Sequence, residues 1–196
     1  MKTSKFSNTQ KLVILALLTA IVVILQLFGA MIRFGPFSVS LVLMPIAIGA
    51  ALVGVYAGGW LGLVFGCIVL MSPDTNLFWA INPVGTVTVV ILKGVLAGLA
   101  AGAAYKIFAR KNMTAAAIAA AAVCPIVNTG VFLIGAYVFF LPAITQWGAA
   151  AGYASAGTYI IFVMVGVNFL FEFCLNLVLS PVIVRLIQYG LKMKVS

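Results

Sequence analysis

Two ionisable residues stand inside long apolar stretches of this chain, Lys93 and Glu172. A charge facing lipid near the bilayer centre costs about 2.5–3.5 kcal/mol on the insertion scale, so both side chains are expected to point inward. Their opposite signs allow two readings. They neutralise one another, or Lys93 meets an anionic ligand while Glu172 orients that ligand or binds a donor on it. Amides stand around them. Asn168, Glu172 and Asn176 recur every four residues, which gives one helix a polar stripe. Asn128 and Thr129 precede Gly130, and Asn82 precedes Pro83. A primary amide donates and accepts, which suits an uncharged polar ligand as well as an interhelical hydrogen bond. Trp79, Trp147 and Tyr153 suit either a roof over such a pocket or a belt at the membrane interface.

This set is thin for catalysis. The chain has no histidine and two acids, which leaves little general acid–base capacity and disfavours a His- or carboxylate-built metal centre. Cys67, Cys124 and Cys174 are odd in number, widely spaced and set in apolar runs, so they read as small hydrophobes. No glycine loop ending in Gly-Lys-Ser or Gly-Lys-Thr is present, and no nucleotide-hydrolysing domain fits into 196 residues already committed elsewhere.

That commitment is to membrane helices. Hydrophobic residues make up 65% of the chain and charged residues 7%, against about 25% charged in soluble domains. At roughly 20 apolar residues per crossing, the length allows about six helices. The stretches fall near 12–32, 38–54, 57–72, 84–108, 114–140 and 159–188, with the second and third divided at the cluster Gly54, Gly58 and Gly59. A turn-rich connection is expected over 141–157. The expected fold is an all-α integral membrane protein, one compact six-transmembrane-helix bundle spanning 1–196 and having no repeated half.

The net charge of +9 does not point to nucleic acid. Lys2, Lys5 and Lys11 precede the first stretch, Lys106, Arg110 and Lys111 fill a break, and Arg185, Lys192 and Lys194 close the chain. Basic clusters flanking apolar segments mark cytoplasmic loops, and an even number of crossings puts both termini on that side. Arg33 alone falls opposite. The outer connections carry little charge, so that end of the bundle would enter lipid cheaply if the molecule tilted.

Gly58, Gly62 and Gly66 share a face of the third helix, and Gly94, Gly98 and Gly102 share one on the fourth. Glycine at four-residue spacing lets two backbones approach closely in lipid, so these stripes read as packing. Ala16 and Ala20 make a smaller patch on the first helix.

With these residues in view, the chain resembles the substrate-binding S components of energy-coupling-factor vitamin importers. The likeness rests on Ala16-x-x-x-Ala20 after a basic amino terminus, and on the run from Arg33-Phe-Gly-Pro-Phe through Met-Pro-Ile-Ala-Ile-Gly-Ala into the glycine-striped third helix. Asn82-Pro83 and Asn128-Thr129-Gly130 add to it, and the size and six-helix plan extend it over the whole chain. The resemblance implies a multi-pass protein of a bacterial plasma membrane, without its own ATPase or cofactor, that binds a vitamin at its outer side. It implies ligand contacts from the loop after the first helix (Arg33, Phe37), the loop after the third (Asn76, Trp79, Asn82) and the last three helices with their connection (Lys93, Asn128, Thr129, Trp147, Tyr153, Asn168, Glu172). It also implies a membrane scaffold subunit docked on Ala16 and Ala20, two cytoplasmic ATPases, and a toppling motion that delivers the ligand inside. Lys93 and Arg33 suit a carboxylate such as pantothenate, and the aromatics suit a flavin ring. The competing readings are a small integral-membrane enzyme and a stand-alone carrier or channel.

Overall fold

The computed structural model describes residues 6–34 and 37–192. The side chains of Arg33 and Phe37 lie outside the described residues, as do Lys2, Lys5 and Lys194.

Helix α1 (Asn8–Gly29) starts where Ser7 and Gln10 close a reciprocal capping box, each side chain bonding the other's backbone N–H. Its buried stripe is Leu18, Val22, Gln26 and Gly29, four positions at helical spacing. After it the chain makes a short antiparallel hairpin, β1 (Arg33–Phe34) and β2 (Phe37–Ser38), with Arg33 opposite Ser38 and Phe34 opposite Phe37.

Helix α2 (Leu43–Leu52) is ten residues long. The stretch expected to be helical over 38–54 therefore yields a shorter element, because the hairpin and an extended segment take its first residues. At ~1.5 Å per residue it rises ~15 Å, half of a ~30 Å hydrocarbon core. Leu43, Ile46 and Ala47 on it are wholly buried, so it is a core element wrapped by the longer helices. Gly54, at φ 132°, separates it from α3 (Val55–Leu70) in a conformation an L side chain rarely adopts.

Beyond α3 a 3-10 turn (Pro73–Thr75) and α4 (Asn76–Ile81) bend the path by 73°. The bend is held by bonds to the carbonyls that end α3: Ser72 Oγ to Val69 O at 2.8 Å and Trp79 Nε1 to Leu70 O at 3.3 Å. Helix α5 (Pro83–Phe108) then runs antiparallel to α3, and here the glycine stripes mesh. A Cβ on Gly58 would strike the carbonyl of Gly98, and one on Gly62 the carbonyl of Gly94; the reverse substitutions meet the same obstacle. The two backbones touch because side chains are absent where they cross.

Helix α6 (Met113–Ala150) is 38 residues long and contains Pro125 and Pro142. The helix expected over 114–140 thus continues through the turn-rich connection expected over 141–157, and the chain turns only near Gly152. Pro125 is buried, so its freed backbone groups are covered; Pro142 is exposed, and the helix runs on past both. The last span comprises α7 (Ala156–Tyr159), a π-helical stretch (Ile160–Val165) and α8 (Gly166–Lys192). Among the described residues the regular structure is all helical apart from the hairpin. Among the described residues four helices are long and apolar enough to span a membrane, and five if the bent pair counts as one span.

Large apolar side chains cover the outside: Leu12, Leu17, Tyr56, Val84, Phe162 and Val178 are all exposed, an arrangement suited to lipid. The inside holds two apolar clusters. One gathers Val22, Ile46, Leu61, Phe65 and Ala120; the other gathers Phe78, Val89, Phe140, Ile144 and Met164. The polar residues lie between them.

Candidate functional site

A cavity of about 90 Å³ opens where the two clusters meet, with Val69 and Val90 from the first and Phe78, Val89, Phe140 and Met164 from the second in its wall. Its polar wall consists of Gln26, Ser38, Ser40, Asp74, Thr75 and Thr86, together with Lys93, Asn128, Thr129, Asn168 and Glu172.

Each of these is positioned by the element that carries it. Gly94 and Gly98 bind one face of α5 to α3, and this turns Thr86, Val89, Val90 and Lys93 toward the cavity. The Lys93 ammonium lies over two aromatic rings, 5.4 Å from the centroid of Phe65 and 5.8 Å from that of Phe132. The negative faces of those rings stabilise a cation. Among the described residues no hydrogen bond or ion pair reaches Lys93 Nζ, although Glu172 and Asp74 act on it electrostatically.

On α8 the stripe Asn168, Glu172 and Asn176 is buried throughout. Asn176 Nδ2 donates to the carbonyl of Glu172 at 2.8 Å. The π-helical stretch just before it advances the register, so Met164, Val165, Asn168 and Glu172 all reach the same cavity. On α6, Asn128 and Thr129 supply the facing wall.

The end of the hairpin and the residues after it are bonded to these groups. Ser40 donates its backbone N–H to Glu172 Oε1 at 2.7 Å, and Ser38 donates its backbone N–H to Asp74 Oδ2 at 3.2 Å. The Ser38 hydroxyl also donates to Asp74 Oδ2. The chain has two acids, and both accept from this one segment. Bonds to a charged acceptor are worth about 1.5–3 kcal/mol each, so two such anchors fix the segment against the cavity wall.

Of the positions expected from sequence, Lys93, Asn128, Thr129, Asn168 and Glu172 do meet at the cavity. Asn82 does not: its side chain caps α5 by accepting from the N–H of Gly85 at 2.9 Å, the ordinary duty of an asparagine before Pro at N1. Asn76 is exposed at the start of α4, and Trp79 bonds the end of α3. Trp147 packs on Phe78 at 5.9 Å, behind the wall, and Tyr153 packs on Tyr159 at 5.6 Å. Arg33 and Phe37 cannot be placed, since their side chains lie outside the described residues. Ala16 and Ala20 are exposed on α1, away from its buried stripe.

Sequence reasoning missed Gln26, Ser38, Ser40, Asp74, Thr75 and Thr86. A signal for Gln26 was present: it is the one amide between Leu12 and Ile32, a stretch otherwise polar only at Thr19. In the structure Gln26 is 1% exposed and Asn128 5% exposed. Gln26 Oε1 and Asn128 Oδ1 have no hydrogen-bond partner among the described residues. An amide buried in that state costs about 1–3 kcal/mol, which an incoming ligand can offset.

No curated protein matches the chain. The family model described as ECF transporter, substrate-specific component, matches residues 10–184.

Proposed function

The chain belongs to the family of ECF transporter substrate-specific components, and from that premise we propose that it captures a compact, carboxylate-bearing vitamin in the cavity around Lys93. The observation that carries this reading is the ammonium itself: a half-buried cation held over two rings, among uncharged amides, beside a cavity. An anionic group there would gain a charge-assisted hydrogen bond in a medium of low dielectric. Pantothenate fits that chemistry better than riboflavin does. The cavity of about 90 Å³ is narrow against the ~300–1,000 Å³ of drug-sized sites, and the aromatics nearest to it are already packed on one another.

In this reading the principal helices α1, α2, α3, α5, α6 and α8 pass alternately through the bilayer, with α2 and the extended residues before it forming one broken crossing. Both termini are cytoplasmic, which the basic residues Lys106, Arg110 and Lys111 between α5 and α6 support. The hairpin and the α3–α4 bend then face outward, and the segment latched to Asp74 and Glu172 covers the entrance. Transport is driven by a membrane scaffold subunit, docked on the exposed face of Ala16 and Ala20, and by two cytoplasmic ATPases.

Calorimetric titration of the full chain in lipid nanodiscs, without ATP, tests the reading. Pantothenate, biotin, folate, riboflavin and thiamine are the probes. A carboxylate vitamin is expected to bind and the cationic thiamine to be refused. Heatless titrations with all of them, or flux through liposomes holding this chain alone, would overturn the assignment.

A further inference from the structure

Gln26 is buried on the first helix and forms part of the cavity wall, and its Oε1 has no hydrogen-bond partner among the described residues. Nothing in the packing of α1 calls for it. Leu18 and Val22 fill the preceding positions of the same buried stripe, and Gly29 ends it against the backbone of Val39. A leucine or methionine at 26 would occupy a similar volume without leaving a polar group dry. On the facing wall, Asn128 is in the same condition. Two unpaired amide oxygens on different helices in one cavity are two accepting capacities that a hydrogen-bond donor on an occupant can fill.

We propose that Gln26 is a specificity-determining residue of this cavity, acting with Asn128 to require that the bound acid also carry a neutral hydrogen-bonding function, a hydroxyl or an amide. Lys93 takes the anionic group, and the amide pair takes the neutral one. A simple fatty carboxylate satisfies the first and leaves both amides unpaired, so it is refused. The inference rests on the proposed capture of a carboxylate ligand and adds to it a second requirement and a residue on an element from which no ligand contact was expected.

The test uses the full chain in nanodiscs, with pantothenate, biotin and folate as hydrogen-bonding acids and octanoate as the plain one. Wild type is expected to bind at least one of the three vitamins and to bind octanoate at least a hundredfold more weakly. Q26L should weaken the bound vitamin about tenfold, the loss of one hydrogen bond, and leave the octanoate isotherm within twofold. The apo protein should melt at the same or a higher temperature in Q26L, because a buried unpaired oxygen has been removed. A merely structural glutamine would instead lower it. Q26M repeats the measurement with a side chain of nearly the same shape. Vitamin affinity within twofold of wild type in both variants overturns the inference while the capture reading stands. Failure of wild type to bind any of the three overturns the capture reading itself, and that failure shows before any substitution is made.

Discussion

The backbone N–H of Ser40 and the carboxylate of Glu172 meet at 2.7 Å across 132 residues of sequence. Two positions earlier, Ser38 makes the corresponding contact to Asp74. The segment after the hairpin is thereby tied to two walls of the cavity, α8 on one side and the α3–α4 bend on the other. The same Glu172 that acts on Lys93 electrostatically also accepts from Ser40, so the cation and this segment meet at one carboxylate.

If Asp74 holds the cover, Asp74→Ala should release it while α8 stays intact. Amide exchange at Ser38 is expected to accelerate about tenfold or more, as for loss of a charge-assisted bond. Hydrogen-exchange mass spectrometry over residues 37–42 reads this directly. Exchange at the wild-type rate would show that Asp74 is not the latch.

Lys93→Met removes the cavity's cation and keeps much of the stem. Affinity for pantothenate should fall by ~100-fold, the order expected when a buried charge-assisted contact is lost, while affinity for riboflavin changes little. Titration of both ligands against both proteins decides the point, and equal losses for the acid and the neutral vitamin would remove the ligand role of Lys93.

Asn82 and Asn128 should respond in opposite ways. Asn82→Ala deletes the cap of α5 and is expected to cost ~1 kcal/mol of stability, with ligand titrations unchanged. Asn128→Ala should weaken ligand with little change in melting temperature, because its Oδ1 has no hydrogen-bond partner to lose among the described residues. Paired melting and binding measurements separate the two, and a binding loss at Asn82 would return it to the site.

The crossing of α3 and α5 gives a prediction about stability. Gly62→Ala places a methyl group against the carbonyl of Gly94 and is expected to cost ~1–3 kcal/mol. Gly130→Ala, with nothing within 4 Å of the new atom, should be neutral or stabilising. Thermal unfolding in one detergent ranks the variants; equal midpoints would mean that the two helices can part without cost.

Ala16→Leu and Ala20→Leu add bulk to an exposed face of α1 that touches none of the cavity wall. Ligand binding by the isolated chain should persist, while uptake in cells supplied with scaffold and ATPases should be lost. Uptake that survives both changes would place the docking face elsewhere.

Much of this was legible in one dimension. Apolar runs far longer than a soluble core needs, interrupted at basic clusters, required a membrane bundle, because lipid forbids unpaired backbone and charge alike. The isolation of Lys93 and Glu172 in those runs marked them as inward-facing, and four-residue spacing put Asn168 beside Glu172 and aligned the glycines that α3 and α5 share. These are local consequences of helix geometry and transfer energy.

What only the tertiary structure decided is which polar groups share a space. The spacing of Asn82 is as suggestive as that of Asn128, yet one caps a helix and the other faces a cavity. Gln26 stands alone in its stretch and acquires meaning from Asn128, some hundred residues away in sequence. The shortness of α2 depends on the hairpin that claims the chain before it, and the tertiary structure alone shows α6 running on past the exposed Pro142. The segment at Ser38 and Ser40 shows no pattern at all along the sequence, because it is held by two carboxylates whose distance from it exists only after the helices have packed.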